Sequence, residues 1–201
     1  MILKTEHNGL NTGKKNLNNN NKMKATLSFI NFNHLSEDVL LEILKHRNAE
    51  EIRKQMRNTE IISKDEHLNF CKSLHNNDKL FYYAVFHDDK LIGVIDCVLL
   101  DEVSRTFMPG CYFFDESSIV RTHACIAARY IWEQKNLLHS KLIVRKNNAK
   151  ALIFDTLKLG YKIDGEDNEY YHLSAKLNNN GDSVNKKFKK ISELYNLTYK
   201  L

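Results

Sequence analysis

The segment 142-LIVRKNNAKALIFDTLKLGYKIDG-165 constrains the fold of this chain more than any other. It opens with an apolar, β-branched run that is typical of a strand, and Asn148 then provides a helix N-cap. The following residues favour a helix over 148–159, and Gly160 stands where a helix commonly ends. A strand that runs directly into a helix predicts a β–α unit of an α/β sheet.

The rest of the central region continues this alternation of elements. Strand-like composition marks the ranges 26–32, 79–86, 90–100, about 105–114, 140–145 and 169–177. Two helices are expected to begin at Ser36 and at a capping box, Ser63 to Glu66. A long helix is expected over 117–135, with four side chains facing inward: Ile119, Ala127, Tyr130 and Ile131. The order β-α-α-β-β-β-α-β-α-β predicts a mixed α/β sheet with helices on its faces.

Polar segments flank this central region. Residues 1–24 end in NLNNNNKMK and lack the apolar surface that orders a segment, so a disordered leader is predicted there. A second polar break follows the last strand, and 178–201 is interpreted as a polar linker with a short C-terminal helix. In that helix four apolar residues recur at helical spacing: Phe188, Ile191, Leu194 and Leu197. The domain itself is expected to span 25–177.

Composition narrows the class of protein. The chain of 201 residues carries 30 basic and 25 acidic residues, a balance that does not indicate nucleic acid and that suits an anionic small substrate. No apolar run reaches the ~18–20 residues of a membrane span, and the N-terminal residues lack the apolar core of a secretory signal. The four cysteines show no metal-ligand spacing, so we expect reduced thiols in a cytoplasmic protein without a metal site.

On these residues the chain resembles the GNAT superfamily of N-acetyltransferases. The resemblance covers about residues 25–177 and is carried by the element order, by Asn148 with Ala151 three residues later, and by Gly160-Tyr161 after the helix. It implies an α/β fold with a mixed, twisted sheet of about six to seven strands and helices on both faces. It also implies that acetyl-coenzyme A binds where two central parallel strands splay apart.

The resemblance implies a set of coenzyme contacts. The pantetheine arm is expected to pair with exposed backbone at Phe113 and Phe114 and to contact Asn148. The pyrophosphate is expected at the N-terminus of the long helix, where free N–H groups favour an anion. The superfamily carries a glycine-rich loop there, whereas this chain has no glycine in that loop. Three side chains are expected to contact the phosphates instead: Ser117, Ser118 and Arg121. The same segment is also compatible with a plain serine N-cap on a core helix.

The position of a tyrosine that commonly protonates the leaving thiolate in this superfamily is altered. Counting from Asn148 places it at Asp155, and counting back from Gly160 places it at Thr156, because the helix is one residue longer than usual. A carboxylate is an acceptor at neutral pH, and a threonine hydroxyl is a poorly matched acid. We therefore expect water or another tyrosine to act as the acid: Tyr112 or Tyr161.

The N-terminal half resembles the nucleotide-sugar branch of the superfamily, which includes the acetyltransferases of the pseudaminic acid pathway. It reads 46-HRNAEEIRKQMRNTEIISKDEHLNFCKSL-74, with His-Arg-Asn where that branch has Trp-Arg-Asn. The resemblance implies that four side chains contact a nucleotide-linked amino-deoxy sugar: Arg47, Met56, His67 and Phe70. The arginine can fork onto a diphosphate, the histidine can donate to a phosphate or hydroxyl, and the two apolar side chains can support a ring or methyl group. Each is also compatible with a structural role.

Asp96, in the strand VIDCV, is the expected general base, because a carboxylate facing the acceptor can take the amine proton directly or through water.

The expected function is direct transfer of an acetyl group in a ternary complex with a small nucleotide sugar. Neither nucleic acid nor a membrane is expected as a partner, and a homodimer is one allowed assembly. Two alternatives stay open: a GNAT enzyme acting on a protein or amino-acid amine, and an acetyltransferase-like module that binds without catalysis.

Overall fold

The computed structural model describes residues 24–56, 58–114, 117–177 and 183–201. The leader predicted over 1–24 therefore falls, apart from Lys24, outside the described residues. The elements in chain order are β1 (Thr26–Asn31), α1 (Glu37–Asn48), α2 (Glu50–Arg53), α3 (Lys64–Ser73), β2 (Leu80–His87), β3 (Lys90–Asp101), β4 (Thr106–Phe113), α4 (Ser118–Ala127), α5 (Arg129–Gln134), β5 (His139–Arg145), α6 (Ala149–Ile153), β6 (Lys162–Glu166), β7 (Tyr170–Lys176), α7 (Ser183–Leu194) and β8 (Asn196–Lys200).

One mixed sheet contains all of these strands, in the order β6-β7-β5-β4-β3-β2-β1-β8. Strands β1 to β4 are antiparallel neighbours, whereas β5 runs parallel to β4 and β8 runs parallel to β1. The predicted α/β class with a mixed sheet is confirmed. The described part of the chain forms eight strands, slightly more than the six to seven expected, because β6 and β8 lie in segments without a clear strand pattern.

Helices cover both faces of the sheet, and two apolar cores result. Helices α4, α5 and α7 cover a core whose members include Phe29, Tyr83, Phe107 and Ile131. Helices α1 and α3 cover a second core on the opposite face, whose members include Phe32, Ile43, Leu74 and Val94. Successive side chains of a strand point to opposite faces, so β2 and β3 contribute to both cores. No helix in the described ranges is long and apolar enough to cross a bilayer.

Helices α1 and α3 begin at the predicted caps. The Ser36 hydroxyl accepts from the Val39 N–H group at 3.5 Å. The Ser63 hydroxyl accepts from the Glu66 N–H group at 3.2 Å, and the Glu66 carboxylate accepts from the Ser63 N–H group at 2.8 Å. This reciprocal pair confirms the capping box read from the sequence.

The predicted long helix over 117–135 is two helices, α4 and α5, which meet at Ala128. Three of the four side chains expected to face inward are buried or half-buried: Ala127, Tyr130 and Ile131. Ile119 was expected there too, but it is 64% exposed. It lies in the first turn of α4, which faces a shallow cleft against α6 rather than the core.

The helix after β5 absorbs its extra residue in a wider turn. Helix α6 ends at Ile153, and Phe154–Lys158 continue with π-helical hydrogen bonding, in which the Leu159 N–H group donates to the Phe154 carbonyl at 3.2 Å. A π turn holds one residue more than an α turn. Gly160 then ends the segment with φ of 80°, a conformation that glycine adopts at low cost.

The C-terminal helix is shorter than its apolar spacing predicted. Helix α7 ends at Leu194, and Leu197 lies in β8 instead, which pairs with β1. Tyr199 of β8 stacks on Phe29 with ring centroids 5.1 Å apart, and its hydroxyl donates to the Ala127 carbonyl at 3.1 Å. These contacts attach β8 both to the sheet and to α4.

Candidate active site

The sheet opens between its parallel central strands. Strands β4 and β5 pair at Thr106 with His139 and at Phe107 with Ser140, and no further pair joins them in the described residues. A cavity of about 1400 Å³ lies in this opening. Its walls come from β4, β5, α4, the segment around α6, and the loop after α2, which contributes Met56. The cavity therefore reaches elements on both faces of the sheet.

The β4 backbone offers hydrogen-bonding groups to this opening. The Phe114 N–H group donates to the Ile92 carbonyl of β3 at 3.1 Å. Because alternate residues of an antiparallel strand direct their polar groups to opposite sides, Cys111 and Phe113 direct theirs toward the gap. The backbone contact predicted for Phe113 is compatible with this direction and stays a prediction, whereas the Phe114 N–H group is already used within the sheet. Pro109, the single proline of the chain, shares the gap side, where a missing N–H group breaks no ladder bond.

Asn148 lines the cavity and caps α6 at the same time. Its Oδ1 atom accepts from the Ala151 N–H group at 3.1 Å. The cap uses the amide oxygen, so the amide nitrogen remains suited to donate to a molecule in the cavity. The helix-cap role and the ligand role are therefore compatible in one side chain.

A shallower cleft of about 360 Å³ separates the first turns of α4 from α6. Ser118 lines this cleft, together with Thr122 on the next turn of α4. From the opposite wall Lys150 and Lys158 add positive charge that the sequence interpretation missed. The position of Lys150, two residues after the capping Asn148, was the signal that could have identified it.

The other two residues expected at phosphates are placed differently. The Ser117 hydroxyl caps α4 and accepts from the Val120 N–H group at 3.3 Å. Arg121 lies on the next turn, outside the lining of the cleft, and its Nε atom is buried without a hydrogen-bond partner among the described residues. Neither position brings the side chain into the cleft, because the first two turns of α4 present Ser118 and Thr122 there instead.

Asp155 and Thr156 have different surroundings. Asp155 lines the cavity, and burial raises the pKa of its carboxyl group to about 6. Thr156 donates its hydroxyl to the Leu152 carbonyl at 2.7 Å and does not line the cavity. Counting forward from Asn148 therefore identifies Asp155 as the residue that reaches the cavity. Counting back from Gly160 fails, because the π turn adds one residue before that glycine.

Tyr161 and Tyr112, the two tyrosines considered as acids, lie in different places. Tyr161 lines the cavity, and its hydroxyl lies 2.5 Å from the Ser140 hydroxyl. Burial raises the pKa of Tyr161 well above its ordinary value, so the phenol is protonated at neutral pH. Tyr112 is outside the cavity lining and packs on the α1–α3 face, 6.1 Å from Phe114 between ring centroids. Its place therefore argues against the predicted catalytic role.

A polar group that includes Asp96 lies beside the cavity on the α1–α3 face. Asp96 pairs in register with Tyr82 of β2 and with Gly110 of β4, and Gly110 also lines the cavity. A Cβ atom on Gly110 would lie 2.8 Å from both carboxylate oxygens, so this glycine leaves room for the carboxylate over β4. Burial raises the pKa of Asp96 to about 6. Burial, and then the charge of Asp96, raise the pKa of Tyr82 and Tyr112.

Arg47, at the end of α1, reaches the same group. Its Nη2 atom donates to the Asn58 carbonyl at 2.8 Å, whereas its Nη1 atom is buried without a hydrogen-bond partner among the described residues. Its charge opposes the rise in the pKa of Tyr82 and of Tyr112. A buried donor without a partner is unfavourable, so Arg47 is well placed to bind an anionic or polar ligand.

The loop that carries Met56 into the cavity is attached to the end of α1. The Asn48 amide donates to the Ile62 carbonyl at 2.8 Å and accepts from the Ile62 N–H group at 3.0 Å. Arg53 donates to the Thr59 carbonyl within the same loop. In the Arg-Asn pair read from the sequence, Asn48 therefore orders the loop. Arg47 retains a donor nitrogen that has no partner among the described residues.

The position of His67 argues against the predicted contact with the substrate. This side chain is buried between α1 and α3, and its Nε2 atom donates to the Leu40 carbonyl at 2.9 Å. Burial also lowers its pKa, so the ring is neutral at pH 7. Residues four apart share a helix face, and His67 lies with Cys71 on the face of α3 that packs inward. Phe70, by contrast, packs edge-on against Tyr82 at 5.1 Å and so borders the Asp96 group.

Comparison with known proteins agrees with this geometry. No family model matches the chain. The curated acetyltransferase PseH of Campylobacter jejuni serotype O:23/36 is 32% identical over 147 residues, which span 73% of this chain and 91% of that protein. The crystal structure of Campylobacter jejuni PseH in complex with acetyl-coenzyme A is 27% identical with a TM-score of 0.57, covering 75% of this chain and 98% of that one. A spermidine N-acetyltransferase from Vibrio cholerae shares the fold at a TM-score of 0.63 and 18% identity, covering 76% and 96% of the two chains.

The splayed parallel strands and these fold neighbours define the GNAT fold, and the PseH relatives show that the chain is an N-acetyltransferase of that class. Within that class, the identity and coverage show that the chain belongs to the PseH acetyltransferase family. The family membership favours an enzyme over a module that binds without catalysis.

Replacing Asp96 with Asn should raise the free energy of unfolding at pH 7 by about 1–3 kcal/mol. The folded pKa of about 6 exceeds the ordinary value of 3.8, so the folded state holds this proton more tightly than the unfolded state. Wild-type stability from this group is therefore lost as the pH rises from about 4 to about 6. Urea unfolding of Asp96→Asn and wild type at pH 5, 6 and 7 measures the difference.

The exposed Asp89→Asn variant is the control and should follow wild type at each pH. An Asp96→Asn protein that is less stable than wild type by the same amount at all three pH values would show that the carboxylate is not strained by burial.

Proposed function

We propose that the chain transfers an acetyl group from acetyl-coenzyme A to the amine of a nucleotide-linked amino-deoxy sugar, of the nonulosonic or pseudaminic acid type. The observation that carries the proposal is the cavity between β4 and β5, which connects an exposed backbone edge with the polar group at Asp96. Membership of the PseH family supports the donor, because a PseH structure contains acetyl-coenzyme A.

The pantetheine arm would lie along the gap side of β4. Its amides can pair with the backbone of Cys111 and Phe113 in the manner of an added strand. Asn148, at the start of α6, lines the same cavity, and its amide nitrogen can donate to a pantetheine carbonyl. These contacts would satisfy the strand groups that β5 leaves without partners.

The phosphates would lie in the cleft between α4 and α6. Ser118 and Thr122 offer hydroxyls there, and the α4 N-terminus offers backbone N–H groups. Lys150 and Lys158 would supply the positive charge. This arrangement would bind an anion by side chains where other members of the superfamily use a glycine-rich loop.

The acceptor would approach from the α1–α3 face. The buried Nη1 atom of Arg47 would gain a partner in a diphosphate oxygen. Met56 would add an apolar contact in the cavity, and Phe70 would border the site through Tyr82. The acceptor amine would then stand near Asp96, on the side of β4 opposite to the phosphate cleft.

Transfer would need a base, an oxyanion site and an acid. With a pKa of about 6, Asp96 is mostly ionised at pH 7 and can take the amine proton directly or through water. The backbone N–H groups on the gap side of β4 can hold the oxyanion of the tetrahedral intermediate. Tyr161 is a protonated phenol on the cavity wall and would protonate the departing thiolate. Asp155 is mostly ionised at that pH and is poorly suited to the same task.

The coenzyme site is tested with Asn148→Ala, which should weaken acetyl-coenzyme A binding by ~1–2 kcal/mol because a hydrogen bond to the ligand is lost. Calorimetric titration measures the affinity. Asn148→Ser is the matched control, since serine keeps the helix cap but has no amide donor, and it should weaken binding to a similar degree. Wild type without saturable binding at millimolar acetyl-coenzyme A would overturn the proposed donor.

The acceptor is tested with Arg47→Lys, which keeps the charge but loses the fork. The acceptor KM should rise more than kcat falls, because ground and transition states share the diphosphate contact. Coenzyme release is followed with a UDP-linked 4-amino-4,6-dideoxy sugar, with spermidine and with a peptide amine. Lys45→Ala, an exposed change on the same helix, should match wild type. Faster turnover of spermidine or peptide than of the sugar would refute the proposed acceptor.

The acid is tested by comparing three variants that alter one proton donor each. Tyr161→Phe should lower kcat by ~10²-fold or more, the usual scale for general acid catalysis. Asp155→Asn and Thr156→Val should each leave kcat within about tenfold, which is ~1.4 kcal/mol or less. Acetyl-coenzyme A affinity should stay unchanged in all three. A thousandfold loss in Asp155→Asn with normal turnover in Tyr161→Phe would assign the acid to Asp155.

A further inference from the structure

Two cysteines face each other on the wall of the cavity between β4 and β5. Cys111 is an exposed residue of β4, Cys125 lies on α4, and both line the cavity. Their Sγ atoms are 3.8 Å apart, and the Cys125 thiol donates toward Cys111. No step of the proposed transfer reaction uses either thiol.

The remaining cysteines of the chain lack such a partner. Cys71 is buried in the α1–α3 core, where its Sγ atom lies 3.6 Å from the His67 Nε2 atom. Cys97 is fully buried in the opposite core. All four cysteines of the sequence lie in the described part of the chain, so Cys111 and Cys125 are its one pair of adjacent thiols.

We propose that Cys111 and Cys125 form a reactive dithiol that exchanges with low-molecular-weight disulfides, and that the resulting intramolecular disulfide closes the cavity to the coenzyme. The exposed Cys111 reacts first. Its thiolate attacks one sulfur of the disulfide RSSR, the S–S bond breaks, and one RS⁻ leaves and takes up a proton. The product is a mixed disulfide between Cys111 and R.

The second step uses the neighbouring thiol. Cys125 gives up its proton to solvent and attacks the Cys111 sulfur, which releases the second RS⁻ and forms the bond between Cys111 and Cys125. The two protein thiols lose two electrons and two protons, and RSSR gains both to become two RSH. Contact with Cys111, burial and the charge of Asp155 raise the pKa of Cys125, so this thiol is protonated in the reduced protein. A mixed disulfide at Cys111 removes the first of these causes, the contact with the Cys111 thiol.

The geometry allows the bond to form with a modest movement. A disulfide joins sulfurs at about 2.05 Å, so the two Sγ atoms must approach by about 1.8 Å. Cys111 lies in the part of β4 that has no pairing with β5 in the described residues, so that side of the strand is not held by a ladder. Movement of Cys111 toward α4 would need no break in the pairing of β4 with β5.

The effect on the coenzyme follows from the place of Cys111. Its backbone is part of the β4 edge along which the pantetheine arm is proposed to pair, and its side chain lines the same cavity. A bond to Cys125 would shift that edge toward α4, and a mixed disulfide would place the R group in the cavity. This consequence rests on the proposed coenzyme site, whereas formation of the disulfide does not.

The chemistry is tested on the reduced full-length protein with oxidised glutathione as the probe. Intact mass should fall by the mass of two hydrogens, and peptide mapping should link Cys111 to Cys125. Cys125→Ser should stop at one glutathione on Cys111, while Cys71→Ala should behave as wild type. An unchanged wild-type mass, or a wild-type protein that retains glutathione on Cys111, would overturn the dithiol whatever the variants do.

The consequence for the coenzyme is tested by calorimetry on the same samples. The oxidised protein should bind acetyl-coenzyme A at least about tenfold more weakly than the reduced protein, a difference of about 1.4 kcal/mol, and reduction should restore the affinity. Equal affinity of the two forms would refute closure of the cavity. A reduced protein that does not bind acetyl-coenzyme A would refute the proposed donor and closure together, while the mass measurement still decides the dithiol.

Discussion

The separation of β4 from β5 after their first two paired residues is the constraint on which the rest of the structure depends. Each strand is paired along its length with its outer neighbour, β4 with β3 and β5 with β7, so the gap does not collapse when the inner pairing ends. Unpaired backbone groups are unfavourable in an interior, and this requirement makes the gap a place for an amide-bearing ligand. The residues of β4 are compatible with an open edge, since Pro109 needs no partner for an N–H group and Gly110 leaves space for Asp96.

Much of the fold could be predicted from local patterns, because strand alternation and helix caps act over a few residues. The caps at Ser36 and Ser63 and the hairpin of β2 and β3 are examples. Strand β6 could not, since all five of its residues are exposed and leave no alternation. Strand β8 was missed because Leu197 continues the helical spacing of α7. Only its pairing with β1, a contact between distant parts of the chain, decides that Leu197 belongs to a strand.

The site was less predictable because it depends on which way each side chain points. His67 matched the expected motif, yet it lies on the inner face of α3 and its side chain is buried in the core. The count that left Asp155 and Thr156 equivalent could not be resolved without the π turn, which has no clear sequence signal. Two further features were not predicted, because each depends on how two elements pack. Lys150 reaches the cleft only because α6 lies beside α4, and Cys125 contacts Cys111 only because α4 lies over β4.

The pairing of β8 with β1 also has a consequence for how the chain folds. Thr198 donates to the Ser28 hydroxyl at 2.8 Å across a separation of 170 residues. Contacts of such high sequence separation form late, because a long loop must close before they stabilise anything. During synthesis β1 therefore emerges well before its partner and presents an unpaired strand edge, a template for association with other chains. If synthesis paused before β8, the sheet would lack its last strand. The exposed edge of β1 could then associate with other chains until β8 paired with it.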